Sequence, residues 1–196
     1  IKTQRNLQLM NSWIIKEKLD LESILPVVDN LTDTLTELDL GKNTRSTQGP
    51  ASQQWELIGC TENNWLDLMQ VMKEKIKVLY KEKFDKDILL ACIGAWTVKG
   101  QEYSYHTLHS HQKKGADVSK RISTVTYLRM PEKRWVGDGA FYFVESKDDT
   151  LTAYHIDPEI GTFIIMPSNL LHGAYPQPAG TRQTLNLDFE LKEATQ

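Results

Sequence analysis

The second half of the chain is a succession of short strand-like segments, and this feature restricts the fold more than any other. From Ile88 onward, apolar or alternating runs are separated by Gly, Pro and Asp, which is typical of consecutive strands. Seven such runs follow one another: ILLACIGAWTV, EYSYHTLHSH, RISTVTYLRM, AFYFVES, LTAYHI, TFIIMP and RQTLNLDFEL. Because helical patterns occur only before them, the sequence predicts a mainly β (α+β) fold, a sandwich or barrel with N-terminal helices.

The helical patterns lie in the first part of the chain. A helix from about 62 to 83, packed on a sheet, is predicted by apolar residues at spacings of three and four. These residues are Trp65, Leu68, Met69, Met72, Ile76, Leu79 and Tyr80. A second helix is predicted to begin near Leu21 with Asp20 as its cap, and Pro26 is expected either to lie in its first turn or to shorten it.

The length of 196 residues fits one domain with a sizeable core. We therefore predict a single domain over 1–196, with a helical cap at 1–87 and a β core at 88–191. Residues 41–54 are rich in turn formers and are predicted to form an exposed loop that could act as a lid or substrate rim. Residues 112–120 are predicted to take part in the same rim.

Composition restricts the class of protein further. The 23 basic residues form no dense block and the net charge is −3, which argues against nucleic acid as the main partner. Cys60 and Cys92 are far apart and form no Cys-x-x-Cys motif, so a reducing environment fits better than a disulfide scaffold. No run approaches the roughly 20 apolar residues of a membrane span. These features predict a cytoplasmic protein without a membrane partner, and they are compatible with a homodimer.

Three of the five histidines lie in one short stretch, YHTLHSHQ. In a regular strand His109 and His111 would point the same way and could share one metal ion, whereas His106 would point away. His172 follows an apolar strand and a Pro, where a turn could bring a third imidazole to the same place. Three neutral nitrogen ligands suit iron, zinc, nickel or copper. Polar surface histidines remain the alternative, and His155 is expected to be a surface or core residue.

The last predicted strand has one polar and one apolar face. Its polar face carries Arg182, Thr184, Asn186 and Asp188, and its apolar face carries Leu185, Leu187, Phe189 and Leu191. Inside a barrel, a charged guanidinium would need an anionic partner, and a carboxylate fits the planar fork of Arg182. An edge strand with Arg182 in water is the alternative.

Taken in order, these motifs resemble those of the Fe(II)- and 2-oxoglutarate-dependent oxygenases, whose fold is a double-stranded β-helix, a jelly-roll or cupin-like barrel. The resemblance covers residues 88–191. Its parts are HSH at 109–111, TVTYLRMP at 124–131, GDGAFYFV at 137–144, His172, and RQT at 182–184. The chain is most similar to a branch found in bacteria and phages, with prolyl-hydroxylase-like relatives. That branch has a similar His-x-x-His-x-His run, matched here by His106, His109 and His111.

The resemblance implies an iron(II) enzyme that uses 2-oxoglutarate and O2. It implies that decarboxylation of 2-oxoglutarate to succinate is coupled to hydroxylation of a substrate, either a peptide or a small molecule. The implied metal ligands and catalytic residues are His109, His111 and His172. The implied contacts to the distal carboxylate of 2-oxoglutarate are Arg182, Thr184 and Tyr127.

The position of His111 departs from the family pattern. The wider family has Asp or Glu there, which completes a set of two histidines and one carboxylate. Three neutral ligands would leave the iron one unit more positive. Three solutions are open: His111 ligates, as in other three-histidine iron dioxygenases; Asp117 supplies a carboxylate from the next loop; or water fills the position. We favour the first.

Two other classes compete with the oxygenase hypothesis. One is a cupin-type metalloprotein, or a three-histidine dioxygenase similar to cysteine dioxygenase that does not use 2-oxoglutarate. PSNLLH has the Pro-to-His spacing of the second cupin motif, but Asn169 stands where Gly is usual, and a cupin gives no role to Arg182 and Thr184. The other is a non-catalytic binding barrel, which the missing carboxylate favours.

Overall fold

The fold is known from a computed structural model that describes residues 13–37, 52–112, 115–147 and 150–193. The helices are α1 (Leu25–Thr34), α2 (Asn63–Phe84) and a short 3-10 helix (Val118–Lys120). The first five strands are β1 (Ile15–Lys18), β2 (Ser52–Glu56), β3 (Ile88–Gly100), β4 (His106–His109) and β5 (Arg121–Arg129). The others are β6 (Phe141–Lys147), β7 (Thr150–Ile156), β8 (Thr162–Pro167), β9 (Leu171–Ala174) and β10 (Arg182–Glu193).

The strands form two antiparallel sheets. The large sheet has the order β1-β8-β5-β10-β3-β2, and the small sheet has the order β4-β9-β6-β7. From β3 onward the chain passes repeatedly from one sheet to the other, and only the β6–β7 hairpin stays in one sheet. This arrangement is the predicted double-stranded β-helix, and its two sheets face each other across the site described below.

The main hydrophobic core lies between the large sheet and the two helices. Strand β10 contributes Leu185, Leu187 and Phe189, all fully buried, so its apolar face packs as predicted. The α2 stripe is also confirmed, since Trp65, Leu68, Met69, Met72, Ile76 and Leu79 are its buried residues. α1 is tied to β5 by an ion pair in which Arg129 Nη1 donates to Asp29 Oδ1 at 2.7 Å. The helices therefore cover one face of the large sheet, and the other face is left for the site.

The first helix differs from its prediction at its start. α1 begins at Leu25, and Pro26 lies in its first turn as expected. The prediction that Asp20 caps this helix is wrong, because Ile24 occupies the N-cap position and makes no side-chain cap bond. Asp20 instead accepts a hydrogen bond at 3.0 Å from the backbone N–H of Glu22, in the turn that precedes the helix.

Three strands are absent from the predicted set: β1, β2 and β9. β1 pairs with β8 and β2 pairs with β3, so residues before Ile88 supply both edges of the large sheet. Short strands with polar sequences such as IKEK and SQQWE are common at sheet edges, and they give little periodic signal. β2 takes up part of the predicted 41–54 loop, and the rest of that loop lies outside the described residues.

Neither described α-helix is long and apolar enough to cross a membrane.

Candidate metal centre and anion pocket

A cavity of about 270 Å³ opens between the two sheets. Strands of the small sheet supply one wall, which includes His106, His109, Phe141 and His172. Strands of the large sheet supply the opposite wall, which includes Trp96, Val125, Tyr127, Arg182, Thr184 and Asn186. His111 lines the cavity as well. The predicted metal ligands and the predicted carboxylate contacts thus meet in one place.

The structure brings the three predicted ligands together. His109 and His172 are direct partners across β4 and β9, with ring centroids 4.5 Å apart. His111 lies two residues beyond the end of β4, where its backbone N–H donates to the carbonyl of Ser168 at 2.8 Å. Its ring centroid is 5.4 Å from that of His109 and 5.0 Å from that of His172. One ring nitrogen from each histidine lies within 4.8 Å of the other two, which is close enough for one ion to contact all three.

Hydrogen bonds select the same tautomer in all three imidazoles. Each Nδ1 faces an oxygen that can only accept, so in the neutral form of each imidazole Nδ1 carries the proton and Nε2 has the free lone pair. The pairs are His109 with the Thr107 carbonyl at 2.7 Å, His111 with the Asp188 carboxylate at 2.8 Å, and His172 with the Leu170 carbonyl at 2.8 Å. Metal-ligating histidines usually show this arrangement, because the bond at one nitrogen orients the other toward the ion.

The protonation state also suits metal binding. Burial lowers the pKa of His109 below the usual range for histidine. Burial lowers the pKa of His172 further, and the neighbouring His111 and His109 act in the same direction. His109 and His172 are therefore neutral near pH 7 and can bind a cation without first losing a proton.

The opposite wall contains an arginine that has no acidic partner in the described part of the chain. Arg182 is only 3 % exposed, and the hydrogen bond from its Nη1 to the Tyr175 carbonyl is long, at 3.4 Å. No carboxylate of the described residues lies within ion-pair distance of Arg182. Burial lowers its pKa, but a guanidinium remains charged at any ordinary pH. A buried positive charge of this kind favours an anionic ligand.

Two hydroxyl groups lie beside this charge. Tyr127 and Thr184 are direct partners across β5 and β10, and both are buried in the cavity wall. Burial raises the pKa of Tyr127 to about 12, against the opposing effect of Arg182, so the phenol stays protonated and can donate a hydrogen bond. The Thr184 hydroxyl accepts a hydrogen bond from Asn186 at 3.1 Å, which leaves its own proton free to donate.

The prediction that His106 points away from the site is wrong. In the β4–β9 pairing His106 is opposite Ala174 and His109 is opposite His172, so three steps along β4 match two along β9. This bulge changes the alternation of side chains, and His106 lines the same cavity as His109. Its Nε2 is buried without a hydrogen-bond partner among the described residues. Burial, together with the nearby Arg182, holds the pKa of His106 well below the usual range.

Asp117 does not contribute to the site, so this solution to the missing carboxylate is wrong. Its exposed side chain accepts hydrogen bonds from the backbone and hydroxyl of Ser119 and forms an ion pair with Lys120. The carboxylate beside the histidines is Asp188, which the alternation of β10 had placed on the polar face without a role. Its contact with His111 could not be inferred from the local pattern.

The remaining histidines also have defined places. His172 lies on strand β9 rather than in the turn predicted from its position after Pro167. His155 is exposed, and its Nε2 lies 2.9 Å from the Tyr175 hydroxyl, in agreement with a surface position.

Sequence comparison finds no match to a protein-family profile or to a curated protein. Comparison of structures finds clear similarity. A prolyl-4-hydroxylase from Pseudomonas putida is 11% identical with a TM-score of 0.63, over 92% of this chain and 93% of that one. HygX from Streptomyces hygroscopicus, with nickel and 2-oxoglutarate bound, is 11% identical with a TM-score of 0.64, over 91% and 83%. A viral collagen prolyl hydroxylase from Paramecium bursaria Chlorella virus-1, in complex with 2-oxoglutarate, is 16% identical with a TM-score of 0.58, over 94% and 98%.

The fold is therefore the double-stranded β-helix of prolyl hydroxylases and other 2-oxoglutarate and Fe(II) oxygenases. This confirms the fold that the sequence predicts. Within that fold, the chain carries a three-histidine candidate metal centre next to a buried, positively charged pocket.

Proposed function

We propose that this protein is an Fe(II)- and 2-oxoglutarate-dependent oxygenase that hydroxylates a substrate. One observation carries the proposal: the cavity joins three imidazoles, whose Nδ1 atoms are hydrogen-bonded, to a buried arginine that has no acidic partner among the described residues. The histidine group and the arginine match the two ends of 2-oxoglutarate. Its keto acid end can bind a metal, and its distal carboxylate can bind a guanidinium.

Each group of residues has a separate task in this reaction. His109, His111 and His172 would hold the iron, which supplies the oxygen chemistry that amino acid side chains cannot perform. Arg182 would hold the distal carboxylate bidentately, with hydrogen bonds from the Thr184 and Tyr127 hydroxyls. The net reaction consumes O2 and 2-oxoglutarate, releases carbon dioxide and succinate, and inserts one oxygen atom into a C–H bond of the substrate.

The size of the cavity bears on the substrate. Its volume of about 270 Å³ is smaller than the roughly 300–1,000 Å³ of most sites for drug-sized ligands. It suits a compact dicarboxylic acid, so the substrate would present only its reacting group at the mouth. A peptide side chain or a small molecule meets this condition. The proposal also includes a cytoplasmic location, as the sequence predicts.

The proposal is tested by adding iron(II) under nitrogen, then 2-oxoglutarate, and finally oxygen. We expect stoichiometric iron binding, a visible charge-transfer band after addition of 2-oxoglutarate, and slow formation of succinate even without substrate. Omission of iron or 2-oxoglutarate should abolish succinate formation. A protein that binds no metal would contradict the proposal and favour the non-catalytic barrel.

A three-histidine dioxygenase that does not use 2-oxoglutarate is the second candidate. It is favoured by the ligand set, because the group with converging ligand atoms contains histidines and no carboxylate among the described residues. Arg182→Ala separates the two candidates. In a 2-oxoglutarate enzyme the variant should lose affinity for 2-oxoglutarate while keeping its metal. If the iron-loaded wild type neither binds 2-oxoglutarate nor forms succinate, so that Arg182→Ala has no such activity to lose, the second candidate is favoured.

A further inference from the structure

We propose that Asp188 positions His111 and supplies, through its ring, the negative charge that a ligating carboxylate would otherwise bring to the metal. The inference rests on the proposed function, because it assigns a further residue to the metal site of that function. Its basis is the contact between Asp188 Oδ1 and His111 Nδ1 at 2.8 Å, between side chains that are 14 % and 11 % exposed. The corresponding Nδ1 bonds of His109 and His172 go to neutral backbone carbonyls. His111 is thus the one member of the group whose partner is ionic.

The local backbone is arranged to place Asp188 in this position. β10 pairs with β3 in regular register until a bulge between Asp188 and Phe189, and bulges often re-aim a side chain beside an active site. The residue opposite Asp188 on β3 is Gly94. A Cβ atom at Gly94 would lie 3.4 Å from both Cβ and Oδ2 of Asp188, and 3.3 Å from the Trp96 ring. Gly94 therefore packs directly against Asp188 and Trp96.

His111 is held from two further directions. Its ring packs against Trp96 with centroids 5.2 Å apart, and its backbone N–H donates to the Ser168 carbonyl. Among the described residues, His111 is the only basic side chain within ion-pair distance of Asp188. No described lysine or arginine therefore neutralises the carboxylate, and its described ionic partner is in the histidine group.

The electrostatic consequence follows from the ligand set. Three neutral imidazoles leave the full charge of a divalent ion uncompensated, whereas two imidazoles and a carboxylate reduce it by one unit. A carboxylate that accepts the Nδ1–H bond makes Nε2 a stronger donor and places a negative charge one ring away from the ion. Because both side chains are largely buried, this attraction is only weakly screened by salt. Asp188 is thus a positioning residue for His111.

The test compares two variants and one control. Asp188→Asn keeps an oxygen that can accept the Nδ1–H bond and removes the charge, whereas Asp188→Ala removes both. Glu190→Gln removes a negative charge two residues further along β10, at a residue that lines a different cavity. The measurements are zinc affinity by competition with a chromophoric chelator, and the Fe(III)/Fe(II) reduction potential.

We expect Asp188→Asn to weaken zinc binding about 10-fold and to raise the reduction potential, and Asp188→Ala to weaken binding about 100-fold. Glu190→Gln should match the wild type in both measurements. Unchanged affinity and potential in Asp188→Asn would overturn the proposal, even if Asp188→Ala binds zinc poorly, because only orientation would then depend on Asp188. An equal effect of Glu190→Gln would also overturn it.

A second measurement tests the proposal without a variant. In the zinc-bound wild-type protein, ring ¹⁵N chemical shifts should show the His111 proton on Nδ1, beside Asp188, and a His111 proton on Nε2 would overturn the proposal. Failure of the proposed function is distinguishable: a wild type that binds zinc with this Asp188 dependence but forms no succinate from 2-oxoglutarate would refute the oxygenase and leave the inference standing.

Discussion

The ring centroids of His109 and His172 lie 4.5 Å apart because the two residues face each other across paired strands β4 and β9. Backbone hydrogen bonds of the small sheet set this separation before any metal arrives. His111 comes from irregular chain just after β4, so its position depends on its contacts with Ser168, Trp96 and Asp188. The positions of two ligands are thus fixed by strand pairing, and the position of the third is fixed by one backbone hydrogen bond and by side-chain contacts.

The first prediction concerns the two ligands on strands. His109→Ala and His172→Ala should each weaken zinc or iron(II) binding by more than about 100-fold, which exceeds the usual cost of losing only a supporting partner. Isothermal titration of the metal-free protein measures this loss. His155→Ala changes an exposed histidine on the outer surface and should retain wild-type affinity. Tight binding in His172→Ala would show that the ion lies elsewhere.

The second prediction concerns the buried arginine. Arg182→Met should weaken binding of 2-oxoglutarate to the iron form by about 2–5 kcal/mol, the usual cost of truncating one partner of a buried charge pair. The same variant should raise the free energy of unfolding of the ligand-free protein by about 1–3 kcal/mol, because a buried group without its partner is removed. Equilibrium binding and urea denaturation measure the two effects. Arg134→Met, at an exposed arginine paired with Glu102, should show neither.

The third prediction concerns pH. Burial, and next the charge of Arg182, lower the pKa of His106 well below the value of about 6.5 that histidine has in an unfolded chain. Between these two pKa values the unfolded chain binds a proton that the folded protein does not. The free energy of unfolding should therefore fall as the pH drops below about 6.5, by up to about 1.4 kcal/mol per pH unit for this residue.

Urea denaturation of the metal-free protein at a series of pH values measures this slope. In His106→Gln the slope should be smaller by the contribution of one proton, since a glutamine does not titrate. An identical slope in the variant would mean that His106 takes up its proton over the same pH range in the folded and unfolded states, which would conflict with its burial beside Arg182.

The fourth prediction concerns the close approach of β4 and β9. A Cβ atom on Gly173 would lie 2.6 Å from the His106 carbonyl oxygen and 2.5 Å from the Tyr142 hydroxyl. Gly173→Ala should thus push the two strands apart, lower stability by about 1–3 kcal/mol and weaken metal binding through the His109–His172 pair. Thermal unfolding and metal titration are the measurements. Leu171→Ala, at an exposed position on the same strand, should leave metal binding unchanged.

Periodic patterns in the sequence were enough to predict much of the scaffold. The α2 stripe and the two faces of β10 follow from repeats of about 3.6 and 2 residues, and such repeats directly encode which side of an element is buried. The polar face of β10 placed Arg182 and Thr184 on one wall of the cavity for the same reason. The double-stranded β-helix itself was implied by the resemblance of the ordered motifs from His109 to Thr184 to those of the oxygenases.

The contacts that complete the site were decided by the tertiary structure. His106 lines the cavity because a bulge in β4 reverses its alternation, and a bulge is set by the pairing with β9 rather than by the sequence of β4 alone. Asp188 meets His111 across 77 residues of chain, in a contact that depends on strand register. Local sequence specifies the face on which a side chain lies, whereas the packing of the two sheets decides which side chains meet there.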